Sequence, residues 1–307
     1  MSVLDAIGRT PLVDLRRLQP PGAARVVVKL EYANPTGSMK DRMALAAINA
    51  AEADGRLRSG GTVVEYTGGT TGVSLAFISA AKGYKARIVF SDAFSQDKGL
   101  MMEAFGAQVS IVHSHGGGIT EKVIRDMMAE AKTLGAQPGH WWCDQLNNRD
   151  ALAGYIPMGE EILAQAGGHV DAFVHCVGTA ASCRGVATVL KRRKPGVRVV
   201  AVEPAESSVL SGGQPGPHKI EGVGIGYTPP LWDPTVVDEI LPVKTEDAKE
   251  MARRLAREEA LFAGTSSGAN VLAAIQVARR LGRGARVVTL MADSGLKYLS
   301  TDVYGRR

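Results

Sequence analysis

The sequence predicts an α/β protein with largely parallel strands, and three observations carry that reading. Short β-branched runs alternate with helical segments along nearly the whole chain. With 307 residues and 45% apolar content, the chain can bury a sizeable core, as two lobes or as one large unit. Small turns of Gly, Ser and Thr recur between an apolar run and a helix start, where ligands of parallel sheets bind.

In chain order, Arg25 to Glu31 (RVVVKLE) reads as a strand. Asn34-Pro35 and Thr36-Gly37 break it, because Pro removes a donor and Gly permits turn backbone. Ala44 to Ala53 is alanine-rich and helical. Thr62 to Thr67 is a strand, Gly68 to Gly72 a loop, and Val73 to Lys82 a helix. Ala86 to Phe90 is a strand, Ser95 to Phe105 a helix, and Gln108 to Val112 a strand running into the glycine-rich loop His113 to Gly118. A helix from Thr120 to Thr133 follows. Trp141 to Ala153 is irregular and polar, as at a domain crossover or a binding loop. The rhythm resumes with a helix at Ile156 to Ala166, a buried strand at Asp171 to Val177, the loop Gly178 to Ser182, a helix to Lys194 and a strand at Arg198 to Glu203. Ser207 to Pro234, rich in Gly and Pro, is a long loop of the kind that lines a site. Thr245 to Ala260 is a helix capped by Thr245, Ala263 to Gly268 opens another, and Arg286 to Met291 is the last strand.

Within this frame the stretch Asn34 to Arg42 (NPTGSMKDR) puts a lysine in the first turn of a helix, with Ser38 placed to cap it. Lys40 then sits where unpaired N–H groups and the helix dipole disfavour an ammonium. A lysine of ordinary pKa, about 10.4, is a poor nucleophile at neutral pH, whereas one desolvated near positive potential can attack a carbonyl and form an imine. A surface lysine after a turn has the same local sequence.

Several function classes are disfavoured. The net charge of +5 resides mainly near helix ends, as at Lys191 to Lys194 and Arg279-Arg280, where cations complement the dipole. Aromatic residues, 5% of the chain, do not interleave with these clusters, so no nucleic-acid partner is predicted. No apolar run approaches the roughly 20 residues of a membrane span, and the beginning lacks a basic region followed by an apolar core; the expectation is a cytoplasmic protein with no membrane partner. Cys143, Cys176 and Cys183 suggest neither disulfides nor zinc. His113 and His115 lack a third ligand at suitable spacing, so no metal site is expected.

Three loops share one form, strand then small-residue turn then helix start, at residues 67–72, 178–182 and 264–268. Backbone N–H groups and hydroxyls at such helix starts suit phosphate or carboxylate. Together with one lysine they suggest a single anionic cofactor site. No GxxxxGK[ST] occurs, and Gly222 to Gly226 (GVGIG) does not fit GxGxxG, so nicotinamide and P-loop readings are disfavoured.

These residues resemble the cysteine synthase and cystathionine β-synthase family of pyridoxal-phosphate enzymes, of the tryptophan synthase β fold type, nearly end to end. Ile7 to Val13 (IGRTPLV) resembles the family's opening and NPTGSMKDR its lysine motif. Gly178 to Ser182 falls at its phosphate-binding GTGGT, Gly264 to Gly268 at its GISSG, and Asp293-Ser294-Gly295 with Tyr298 to Thr301 at its closing signature. The resemblance implies two lobes, each a mostly parallel twisted sheet with flanking helices, and a cofactor in the cleft between them. Residues 1–35 and 146–307 would form the larger, phosphate-binding lobe and 36–145 the smaller one, with two chains making a homodimer.

The cofactor so implied is pyridoxal 5'-phosphate, held as a Schiff base by Lys40. Freed by an incoming amino acid, Lys40 would take the Cα proton, and loss of a β-leaving group would give an aminoacrylate to which sulfide or a related nucleophile adds. O-acetylserine is the expected donor, ahead of O-phosphoserine and serine, since no arginine is evident to clamp a phosphate. Ser266 would face the pyridine nitrogen, and Gly178, Thr179, Ala180, Ala181 and Ser182 would hold the phosphate, with Thr70 near the ring oxygen. Thr67, Gly68, Gly69, Thr71 and Gln145 would meet the substrate carboxylate. The chain departs from the family's TSGNTG, reading Thr67 to Gly72 as TGGTTG, and has Ala for Gly at 180 and 181, where backbone donors survive if no positive φ is needed. It also lacks the NPAN-like run after Gln145. With no haem segment or regulatory extension expected, a full animal-type cystathionine β-synthase is disfavoured. Elimination to pyruvate, as in serine/threonine dehydratases and cysteine desulfhydrases, and a silent cofactor-binding module remain alternatives.

Overall fold

The computed structural model describes residues 2–114 and 120–305, and both predicted sheets are present. The strands are β1 (Leu12–Asp14), β2 (Arg25–Leu30), β3 (Thr62–Tyr66), β4 (Lys85–Ser91), β5 (Gln108–Val112), β6 (His140–Trp142), β7 (Ala172–Cys176), β8 (Arg198–Pro204), β9 (Glu239–Val243) and β10 (Arg286–Met291). The helices are α1 (Lys40–Ala53), α2 (Thr70–Lys82), α3 (Gln96–Ala104), α4 (Glu121–Gly135), α5 (Ala151–Gln165), α6 (Ala181–Arg193), α7 (Thr245–Glu259) and α8 (Thr265–Leu281). Six strands lie in the order β1-β2-β10-β7-β8-β9 and four in the order β5-β4-β3-β6. All neighbours are parallel except β1 and β2. β2 pairs with β10 from Arg25 opposite Arg286 to Leu30 opposite Met291, so the beginning of the chain joins the strands of its end.

Sequence and structure differ at several places. β1 and β9 were not anticipated, and the stretch read as irregular, residues 141–153, contains the end of β6 and the start of α5. α2 begins at Thr70 rather than Val73, and α7 takes Lys244, not Thr245, as its cap. The Thr245 hydroxyl instead accepts a hydrogen bond from Lys219 N at 3.2 Å. No strand precedes α8; α7 is followed by a short link carrying one isolated bridge, Ala263 with Ser294. Of the loop His113 to Gly118, residues from His115 on lie outside the described residues, and His113 pairs at the surface with Asp92 at 3.0 Å. No helix of the described residues is long and apolar enough to cross a membrane.

One core runs between the two sheets. Val63 and Ile88 of the four-stranded sheet, Phe173 and Val288 of the six-stranded one, and Met43, Ala47, Tyr155 and Val186 of α1, α5 and α6 belong to one buried cluster. The helices meet at glycines. A Cβ on Gly154 of α5 would come within 2.3 Å of Arg42 O, and one on Gly159 within 2.8 Å of Val189. α5 also carries Pro157 in its interior.

Arg42 fixes α1 on that core. Its Nε and Nη2 donate to the Glu31 carboxylate at 2.7 and 2.8 Å, and Nη1 and Nη2 donate to Glu161 at 2.8 Å each. Lys29 Nζ adds a 2.7 Å bond to Glu161. Arg42 and Glu31 are buried, so removing one partner leaves an uncompensated charge. Arg42→Met is predicted to lower the free energy of unfolding by about 3–5 kcal/mol, read from urea denaturation.

Candidate active site

Lys40 opens α1 at the carboxyl end of the six-stranded sheet. The turn before it is laced to the chain after β10: Met39 N donates to Ala292 O at 2.9 Å, Ser294 N donates to Gly37 O at 2.9 Å, and Ser38 bridges Asp293. That bridge gives Ser38 a strand-like partner in place of the cap position. Met39 occupies the cap position, and the Ser38 hydroxyl accepts from Lys40 N at 3.1 Å rather than from deeper in the helix. Lys40 Nζ makes no hydrogen bond or ion pair among the described residues. Burial lowers its pKa to about 8, against the opposing pull of Asp293 and Glu65. A second amine, Lys297, is likewise lowered to about 8 by burial, and its Nζ makes no hydrogen bond among the described residues.

The 67–72 segment joins β3 to α2. Thr67 Oγ1 accepts from Gly69 N at 3.0 Å, which shapes the turn. Thr71 Oγ1 donates to Gln145 Oε1 at 2.7 Å, while Gln145 Nε2 donates to Tyr66 O at 3.2 Å, so these two candidate residues are brought together and oriented. Gln145 N donates to Glu65 at 2.9 Å, and burial raises the Glu65 carboxyl to about 8. A Cβ on Gly68 would stand 2.9 Å from the Phe94 ring. Phe94 therefore fills the place of a serine side chain here. Gly69 has φ 126°, and a Cβ on it would lie 2.2 Å from Lys98 Cδ.

Asp293 joins the loops. Its carboxylate accepts from Thr70 Oγ1 at 3.3 Å and from Tyr298 OH at 2.7 Å, and its Oδ1 lies 2.4 Å from where a Gly264 Cβ would be. Burial raises its pKa. Across the cleft Lys98 pairs with Glu221 at 2.5 Å and stands 4.4 Å over the Tyr298 ring.

Gly178 to Ser182 follows β7. A Cβ on Gly178 would meet Gly222 O at 2.2 Å, so glycine is what lets the 222–224 loop close over this turn. The helix starts at Ala181, placing Ala181 and Ser182 within α6. The condition set for the alanines fails at one of them: Ala180 has φ 68°, a left-handed conformation that costs an L-residue roughly 1–2 kcal/mol. The N–H groups opening α6 remain free of helical partners and aim out of its start. Ser182 Oγ contacts His175 Nε2 at 2.8 Å. Ser266 lies in the first turn of α8, and its hydroxyl, like that of Thr179, makes no hydrogen bond among the described residues; Cys176 Sγ reaches Ser266 O at 3.5 Å.

An amine, two uncommitted hydroxyls and the helix starts of α1, α6 and α8 thus converge on one cleft, a donor set fitted to an anion that also carries a carbonyl. The family model for pyridoxal-phosphate dependent enzymes matches residues 3–293. The chain belongs to that family. It is 42% identical to the cysteine synthase of Staphylococcus aureus (strain N315) over 305 residues, 99% of this chain and 96% of that one. Among solved structures it is similar to the O-acetyl serine sulfhydrylase isoform 3 of Entamoeba histolytica, with 38% identity, TM-score 0.92 and coverage of 99% and 91%. An O-ureido-L-serine synthase matches with 37% identity, TM-score 0.89 and coverage of 99% and 94%. Pyridoxal phosphate is the cofactor of this family member, and the cradle at Gly178 and the uncommitted donors fit it.

Glu65, His175, Asn270, Lys98 and Glu221 escaped sequence reading. A lone glutamate in TVVEYT and a histidine inside an apolar strand were the available signals. Two outcomes are predicted. Competitive acetylation of the apoprotein across pH gives Lys40 a midpoint near 8, because the folded state releases its proton below the ordinary lysine value of 10.5, where exposed lysines titrate. Gly69→Ala, strained in φ and pressed against Lys98, raises the substrate KM at least about tenfold in steady-state kinetics if the turn shifts by the cost of one such clash.

Proposed function

We propose that the chain catalyses β-replacement on an O-activated serine, with O-acetylserine as donor and sulfide or a related nucleophile as acceptor, giving cysteine or an analogue. The observation that carries this reading is the pairing of an uncommitted amine of lowered basicity, Lys40, with a neutral uncommitted hydroxyl, Ser266, at two helix starts on one cleft. The relatives named cysteine synthase and O-acetyl serine sulfhydrylase support it.

In this reading Lys40 would hold the cofactor covalently and Ser266 would face its ring nitrogen. Backbone N–H groups of Gly178, Thr179, Ala180, Ala181 and Ser182, with the Thr179 and Ser182 hydroxyls, would hold the phosphate, with Thr70 near the ring oxygen. Bound pyridoxal phosphate supplies an electron sink that acidifies the substrate Cα–H and labilises the β-substituent. Lys40 Nζ, neutral above about pH 8, takes the Cα proton and returns one to Cα after the acceptor has added. Ser266, unlike a carboxylate, does not hold a proton on the ring nitrogen, which favours β-loss over transamination. Gly68 presents its backbone N–H to the substrate carboxylate beside the Gln145 amide, while Thr67 and Gly69, whose N–H groups donate to Val89 O and Thr67 Oγ1, shape the turn that places it. Thr71, whose hydroxyl proton is engaged by Gln145 Oε1, orients that amide.

The same reading divides the chain into a lobe of residues 36–145 and one of residues 1–35 and 146–307, and pairs two copies as a homodimer. Light scattering at about twice the 32.4 kDa chain mass checks the pairing. Holoenzyme given O-acetylserine and sulfide is expected to yield cysteine, and Lys40→Ala to lower turnover by about 10²–10⁴-fold, measured by cysteine release. Pyruvate formed at the same rate with and without sulfide would assign elimination instead.

A further inference from the structure

Strand β7 carries His175, and the helix-start hydroxyl facing it belongs to Ser182. Both are buried, at 1% and 6% exposure, so neither can exchange its partner for bulk water. On the other side of the imidazole lies Asn270 of α8, whose orientation its backbone partners settle. Its Oδ1 accepts from Cys176 N at 2.7 Å, and its Nδ2 donates to Leu290 O at 2.9 Å. A backbone N–H can only donate and a carbonyl can only accept, so the amide cannot be flipped. The second hydrogen of that same Nδ2 points at His175 Nδ1, 3.4 Å away. Nδ1 must therefore offer its lone pair. Burial and the nearby Lys40 charge hold the imidazole neutral, with a pKa lowered to about 3, so its single proton is left on Nε2. Nε2–H donates to Ser182 Oγ, and the Ser182 hydroxyl hydrogen is thereby free to point elsewhere.

We infer that His175 is a positioning residue for the cofactor phosphate: locked by Asn270 in the Nε2–H tautomer, it turns the Ser182 hydroxyl into a donor toward the anion at the start of α6. The inference rests on the phosphate placement proposed above. The opposite tautomer would reverse the sign. With Nε2 bare, Ser182 would donate to the ring and present only lone pairs to an anionic oxygen. A hydrogen bond to a charged group contributes about 1.5–3 kcal/mol, so its loss corresponds to roughly 10- to 100-fold in affinity.

The test has two arms. Nitrogen-15 NMR of histidine-labelled wild-type apoprotein is expected to show His175 neutral with its proton on Nε2; a proton on Nδ1, or a charged ring at pH 7, overturns the inference without requiring any variant to fold. The second arm titrates apoprotein, Ser182→Ala, His175→Phe and the double variant with pyridoxal phosphate and with pyridoxal, which lacks the phosphate. Each single variant is expected to lose about 10- to 100-fold in affinity for pyridoxal phosphate but little for pyridoxal, and the double variant to lose no more than Ser182→Ala alone. Loss in Ser182→Ala without loss in His175→Phe, or additive losses, overturns the relay while sparing the phosphate placement. Unchanged affinity in Ser182→Ala overturns both.

Discussion

The Arg42 clamp is the constraint on which the rest of the molecule depends. One guanidinium, buried between Glu31 at the end of β2 and Glu161 on α5, fastens the first turn of α1 to the six-stranded sheet. Lys40 lies two residues earlier in that turn. A long lysine side chain in water samples many rotamers and stays protonated; here its backbone is tied by Arg42 on one side and by the strand-like pairing of residues 37–39 with 292–294 on the other. Burial can then act on a fixed amine, and its basicity falls. The reactivity of position 40 thus follows from packing and charge satisfaction elsewhere, not from a local cap.

Polar contacts bridge the two sides of the cleft. Thr70 with Asp293, and Lys98 with Glu221 beneath Tyr298, join the helices beside the four-stranded sheet to segments beside the six-stranded one. The Lys98 amine is buried, so its pairing with Glu221 is shielded from water, whereas the longer Thr70 contact is the weaker of the two. Phe94 adds a wall: by filling the space beside Gly68 it leaves no room for a serine side chain there without a shift of its ring.

Much of this was legible in the residues, for definable reasons. Strands buried on both faces, such as β3 and β7, read as continuous apolar runs, and the helix starts at 40, 181 and 265 were marked by turn residues. The short edge strands β1 and β6, three residues each, were not legible, since three residues cannot show a period. Nor was the first turn of α5, which fell in a stretch that read as irregular and polar and where Gly154 weakens local helix propensity. At the site, Lys40 and the helix-start loops declared themselves through spacing. Glu65, His175 and Asn270 did not, because Glu65 meets Gln145 80 positions away and His175 meets Asn270 95 away. The left-handed Ala180 was invisible for another reason: a strained φ leaves no mark on the identity of the residue that bears it.

Two amines of lowered basicity, Lys40 and Lys297, both feel the Asp293 charge, and Lys40 opens a helix there. Peptide mapping after borohydride reduction of the reconstituted enzyme separates them. A single phosphopyridoxyl label is predicted, on the peptide containing Lys40. A label on Lys297, or protein that stays colourless with pyridoxal phosphate and yields no labelled peptide, would contradict it.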